Sequence, residues 1–242
     1  MAQGALVARH HHLLEGAARS ACDRSDAMEK KPLLEMLRAG KYTEDELLES
    51  LMEDERGRDP LEDHAERGAH QRDKDLWTPL HWAAQDGLER LCAKLLSLHV
   101  SANSADTCGA TPLMIAAFNG RSGIVEALLK VRSTDVRQTN SYLSTSVHYA
   151  AQRGHATCVH QLIHGKGEVD AIDKHGDTPL SWAARSGHIE AVKKLLELKA
   201  DPLTDNNASE DPIELARAAG HIDVAEVMEL AVGDPDLLAM ST

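Results

Sequence analysis

Residues 78–87 read Thr-Pro-Leu-His-Trp-Ala-Ala-Gln-Asp-Gly, and the rest of the chain is organised around this stretch. It returns at 111–120 as TPLMIAAFNG, at 145–154 as TSVHYAAQRG and at 178–187 as TPLSWAARSG, with a worn copy at 211–220, DPIELARAAG. The starts are 33, 34, 33 and 33 residues apart. A fixed period of this length marks a repeat architecture, in which each unit is too small to bury its own apolar face and must stack on its neighbours.

Each position in the stretch has a physical reason. Thr78 suits a helix N-cap, and Pro79 suits the first turn, where its missing N–H would have had no partner. Leu80 with Ala83 and Ala84 makes an apolar face of little bulk, so another helix can approach closely. Gly87 fits a helix end and chain reversal. A second helix is expected next, because Leu91, Cys92, Leu95 and Leu96 share one face. The matching sets are Ile124, Val125, Leu128, Leu129; Cys158, Val159, Leu162, Ile163; and Ala191, Val192, Leu195, Leu196.

Thr-Pro-Leu-His-x-Ala-Ala-x-x-Gly at a 33-residue period resembles the ankyrin repeat, and the resemblance covers residues 73–238. It implies an all-α solenoid of about five helix–turn–helix repeats with short hairpin-like fingers. The expected repeats are 73–105, 106–139, 140–172, 173–205 and 206–238. The third copy has Ser146 in place of Pro, and the second carries an extra residue near Ser133 and Thr134, so a looser junction is expected there. The Gly that usually follows the second helix is replaced by His99, Arg132, Lys166 and Lys199; a left-handed conformation at such a residue costs roughly 1 kcal/mol. The fifth copy reads as an end cap. Arg217 replaces the Ala of the other copies, and Glu229 replaces their Leu or Ile, which makes sense where that face meets water.

Residues 1–31 show no period and read as a disordered tail. The triplet His10-His11-His12 reads as a solvated tail segment rather than a metal site, and Arg9 and Arg19 only loosely imitate a mitochondrial presequence. Residues 32–72 read as a helical N-terminal cap followed by a charged linker. Within them, Pro32 to Ala39 forms a short helix stopped by Gly40. Residues 43–55 form a second, opened by a Thr43/Glu46 capping box. Leu47, Leu48, Leu51 and Met52 form its apolar stripe, which serves either to shield the first repeat or to bind a partner. Residues 239–242 are a tail.

The net charge of −13 argues against a nucleic-acid or anionic-membrane partner, since phosphate binding needs a basic surface. Cys22, Cys92, Cys108 and Cys158 form no C-x-x-C, and two of them fall on buried faces; reduced thiols in the cytoplasm or nucleus are expected. No apolar run approaches the ~20 residues of a membrane helix.

Catalytic motifs are missing: there is no G-x-S-x-G, P-loop, H-E-x-x-H or dinucleotide glycine pattern. His81 and His148 occupy the recurring His position and are expected to hydrogen-bond within their own turns. Cys158 lies near His155 and His160 but on the core stripe. No catalytic residue, metal or cofactor is therefore expected, and the chain reads as a non-enzyme. The site is a surface. The resemblance implies that finger tips and the two residues before the recurring Gly line a concave groove. On this chain those positions hold Trp77, Gln85, Asp86, Phe118, Asn119, Tyr142, Gln152, Arg153, His175 and Arg185. Of three Trp, three Tyr and one Phe, the residues Trp77, Phe118 and Tyr142 fall on the groove, where aromatic anchors favour binding. Arg153, Lys174, His175 and Arg185 make its third and fourth repeats basic, which suits an acidic segment of a partner. The expected function is that of an adaptor or scaffold, monomeric, holding another protein. A regulatory or targeting subunit of an enzyme on another chain is the alternative. Asn103 matches the finger Asn that is hydroxylated in some ankyrin proteins.

Overall fold

The computed structural model describes residues 33–56 and 69–233, with side chains from 53 to 56 excepted. The expected tails and most of the expected linker lie outside them. Two compact units divide at Gln71 and Arg72.

The first unit contains α1 (Leu33–Ala39) and α2 (Glu44–Arg56), which pack on each other. Gly40 turns the chain at φ +59°, with its N–H on the carbonyl of Leu37. The capping box forms: the Thr43 N–H donates to Glu46 Oε2 at 2.7 Å, and the Glu46 N–H donates back to Thr43 Oγ1. Leu33, Leu34, Met36, Leu37, Leu47 and Leu51 are buried, but Met52, expected on the apolar stripe, is exposed.

The second unit is five helix pairs. The inner helices are α3 (Pro79–Asp86), α5 (Pro112–Phe118), α7 (Ser146–Gln152), α9 (Pro179–Arg185) and α11 (Pro212–Ala219). The outer helices are α4 (Glu89–Ser97), α6 (Ser122–Leu129), α8 (Ala156–His164), α10 (Ile189–Glu197) and α12 (Ile222–Gly233). Each inner helix packs on the inner helix of the next repeat, and the outer helices do the same. The Ala pairs 83/84, 116/117, 150/151 and 183/184 have no exposed surface. Their small side chains set the close inner-row spacing, while Leu91, Leu95, Ile124, Leu128, Leu162 and Leu195 fill the space behind them. Among the described residues there is no β-strand.

The recurring Gly does more than stop a helix. Gly120 lies at φ +66°, and a Cβ there would stand 2.6 Å from the imidazole of His155, the residue that follows the next repeat's Gly. His188 and His221 cover Gly154 and Gly187 in the same way.

Three of the four residues in place of the Gly after the second helix adopt the left-handed conformation: His99, Lys166 and Lys199 at φ +58°, +75° and +70°. Arg132 does not, because the extra residue of the second repeat lets the chain leave α6 by another path. The looser junction expected there is instead bonded. Thr134 Oγ1 donates to the carbonyl of Leu128 at 2.7 Å, and the Asp135 N–H donates to Asn103 Oδ1 at 2.8 Å. At the far end, Arg217 and Glu229 are exposed and form an ion pair with each other.

Candidate functional site: the finger and inner-helix face

The fingers are five copies of one hydrogen-bonded turn. In each, a carboxylate or amide oxygen accepts two backbone N–H groups ahead of it. Asp106 Oδ1 takes those of Cys108 and Ala110, both at 2.8 Å. Asp73 serves Asp75 and Trp77, Asn140 serves Tyr142 and Ser144, Asp173 serves His175 and Asp177, and Asn206 serves Ala208 and Glu210. Short Asx side chains make such turns because they mimic a backbone carbonyl. Each finger bonds the next through one backbone contact: Thr107 N–H to Asp75 O, Ser141 to Cys108, Lys174 to Tyr142 and Asn207 to His175, at 2.9–3.1 Å. This ladder fixes the height of every finger tip. The five Asx residues recur in the sequence at the same period as the Thr, but they were not among the expected site residues.

The recurring His holds the finger to the helix. The Thr145 N–H donates to His148 Nδ1 at 3.1 Å, and His148 Nε2 sits 3.1 Å from the carbonyl of Asp177 in the next finger. A carbonyl can only accept, so Nε2 carries the proton and Nδ1 is the acceptor. His81 repeats this between Thr78 and Ala110. Burial pulls both imidazoles down to a pKa of about 4, against which the backbone carbonyl partner works. They are neutral structural bridges.

The ten expected surface residues fall into groups. Trp77 is half-buried, stacks on His81, meets Trp82 edge-on and donates Nε1–H to Asp106 Oδ2 at 3.1 Å. Phe118 is half-buried, edge-on to Tyr149, with the Arg153 guanidinium 4.8 Å above its ring. Tyr149 in turn meets Trp182 edge-on, so one aromatic row crosses three repeats. Tyr142 is 38% exposed at the tip of the third finger, beside Leu143 at 51%. Asp86 is exposed, with a pKa raised by partial burial and partly restored by Arg121. Gln85, Asn119 and Gln152 are half-buried; the Asn119 amide donates to the carbonyl of Ile115. His175 is exposed beside Lys174. Arg185 is bonded to the buried carboxylate of Asp177 at 2.8 Å, so much of its charge is spent inside the site. Asn103 is not at a finger tip. It sits half-buried in the turn after α4, where Nδ2 donates to the carbonyl of Ser133 at 2.5 Å and Oδ1 accepts the Asp135 N–H.

Two further exposed residues lie in this face. Leu76 and Leu143 take the left-handed conformation at φ +64° and +59°, in the slot that Gly109 and Gly176 occupy in the second and fourth fingers. A branched apolar side chain held there, and exposed, runs against local preference.

Nothing in this face arranges a nucleophile against a base. Burial raises the thiols of Cys92 and Cys158 to about 12 and about 11. No group of three or more metal-ligating side chains exists among the described residues, and no helix there is long and apolar enough to cross a membrane.

This repeated pair of helices with a bonded finger defines a class of stacked interaction proteins. The family model for ankyrin repeats in three copies matches residues 36–140, 131–206 and 147–229, and the chain belongs to the ankyrin repeat family. The first match begins well before residue 73, within α1. Ankyrin repeats bind other proteins. Residues of this chain are 33% identical over 106 positions to alpha-latrotoxin-Lg1a of Latrodectus geometricus, covering 43% of this chain and 8% of the toxin. They are 35% identical over 88 positions to the E3 ubiquitin-protein ligase XBAT33 of Arabidopsis thaliana, covering 36% of this chain and 17% of the ligase. They are 36% identical over 90 positions to the human transient receptor potential cation channel subfamily A member 1, covering 36% and 8%. The chain therefore spans a small part of the relatives it matches.

Proposed function

We propose that this chain is a non-catalytic adaptor or scaffold, monomeric and cytoplasmic or nuclear, that holds a partner protein against its finger and inner-helix face. The observation that carries this reading is the side-chain row Phe118–Arg153 with Tyr142. The Arg153 guanidinium lies over the half-buried Phe118 ring, and Tyr142 is exposed at the tip of a finger whose height the backbone ladder fixes. Aromatics and Arg concentrate binding energy: the rigid rings offer large contact area for little lost freedom, and the guanidinium adds charge and planar stacking. Lys174 and His175 on the neighbouring finger favour an acidic segment in that partner. Arg185 contributes less to this field than its charge suggests, since Asp177 already holds it.

The test is an affinity capture with the wild-type chain and a Phe118→Ala/Tyr142→Ala/Arg153→Ala variant, both verified as folded by circular dichroism. The expected result is a partner held by the wild type and weakened in the variant by about 1–3 kcal/mol per truncated anchor. A partner held equally by both would move the site to other surfaces. The likeness to a ubiquitin ligase supports a second reading, in which the array is a regulatory or targeting subunit of an enzyme whose active site is on another chain. An activity co-purifying with wild type and lost with the same variant would favour it.

A further inference from the structure

One pair of side chains outside that face is arranged for chemistry the adaptor reading does not use. His160 and His164 lie one turn apart on α8, both exposed, with ring centroids 4.0 Å apart and planes inclined at 39°. The corresponding pair on α6 is Glu126 and Lys130, an ordinary ion pair at 2.7 Å. On α10 the corresponding Lys193 and Glu197 bond to Glu190 and Lys194. Only α8 of these three places two imidazoles in these positions.

The hydrogen bonding of His164 sets its tautomer. Nδ1 lies 3.0 Å from the carbonyl of His160, one turn back. The carbonyl can only accept, so Nδ1 carries the proton and the Nε2 lone pair is left for a ligand. A backbone carbonyl on the far nitrogen is the usual way a metal-binding imidazole is oriented and made more basic. Side chains at i and i+4 on a helix share one face, so His160 can supply its own ring nitrogen to the same cation.

We propose that His160 and His164 form a surface chelate for a borderline divalent transition-metal ion, of which Zn2+ is the representative. Imidazole suits Zn2+, Cu2+ and Ni2+, whereas Mg2+ and Ca2+ require oxygen ligands. No third His, Cys, Asp or Glu completes a cluster there among the described residues, so water fills the remaining positions. The site is open and weaker than a four-ligand structural zinc site.

His10, His11 and His12 could bind the same ions, so the test starts from the full chain with all three changed to Gln. In that parent, ZnCl2 titrated by calorimetry should bind at one site and raise the unfolding temperature, because the chelate exists only in the folded helix. His160→Gln or His164→Gln, each verified as helical, should weaken Zn2+ binding by about tenfold or more and remove the thermal shift, since the second ligand binds at high effective concentration. MgCl2 should do neither. No Zn2+ binding in the parent, equal binding in the His160→Gln/His164→Gln variant, or an equal response to Mg2+ would each overturn the proposal.

Discussion

At the scale of the residue, the two buried imidazoles make the fold sensitive to acid. His81 and His148 are neutral bridges with folded pKa values of about 4, against about 6.5 for a free imidazole. The unfolded chain therefore binds more protons than the folded one between pH 6.5 and pH 4. Stability is fully present above pH 6.5, falls through that window, and the contribution of these groups is exhausted below about pH 4. Each can supply a slope of up to about 1.4 kcal/mol per pH unit. Urea unfolding at several pH values should show this slope, and it should flatten in a His81→Ser/His148→Ser variant, which copies Ser181 at the same position of the fourth repeat. An undiminished slope in the variant would place the acid sensitivity elsewhere. Leu143 makes a second residue-scale case. Its left-handed backbone is strained for Leu and natural for Gly, as Gly176 shows at the same place. Leu143→Gly should raise the unfolding free energy by about 1 kcal/mol, since little burial is lost at a site 51% exposed. Loss of stability would mean that the side chain contributes more by packing than its exposure implies.

At the scale of the element, the third repeat carries a correctable defect. Ser146 stands at the first position of α7, where the other inner helices carry Pro79, Pro112, Pro179 and Pro212. Its hydroxyl is buried without a partner, and Thr145 before it is already extended at φ −98°, ψ 172°, as a residue before proline must be. Ser146→Pro should therefore stabilise the chain by about 0.5–1 kcal/mol in chemical denaturation. Asn103 works the other way. Its amide joins the second repeat's extra residue to the turn after α4, so Asn103→Ala should cost about 1–2 kcal/mol. The same bonds occupy the atoms beside which a hydroxyl would be added, so an intact-mass search for one added oxygen belongs on this peptide. These junctions also mark what the sequence made legible. The helix pairs were readable from the Thr-Pro-Leu and Ala-Ala spacings, because helix packing imposes a period on composition. The bonds that fix the fingers were harder to read. Asp106 and Asn140 look like any loop Asx until the backbone shows what they accept. The pairing of Arg185 with Asp177, eight residues back, depends on side-chain direction that spacing alone does not supply. Nor did the sequence reveal that Arg132 would escape the left-handed turn taken by Lys166.

At the scale of the whole repeat array, the question is what ends a stack whose every unit offers a face to the next. Arg217 sits where Ala84, Ala117, Ala151 and Ala184 are fully buried between neighbours, and Glu229 where the other outer helices carry Leu or Ile. On α11 and α12 both are exposed and paired with each other. An exposed ion pair adds at most about 1 kcal/mol to stability, so folding is not its main effect. Two charges at these positions suit a face that meets water rather than a further repeat, as a solenoid terminus requires. Ile222 and Leu230 are already 53% and 61% exposed on α12. Arg217→Ala/Glu229→Leu would join them to a further apolar strip of the shape that inner rows use to pack. The variant should stay folded, with unfolding free energy changed by less than about 1 kcal/mol. It should nevertheless associate as concentration rises, read by sedimentation velocity or light scattering, while the parent does not. A contact between unlike faces would not close and would give growing assemblies; a contact between two copies of this face would stop at a dimer. The size distribution therefore identifies which faces meet. A variant that keeps the parent's mass at every concentration would mean that backbone shape, rather than the two charges, is what stops the stack.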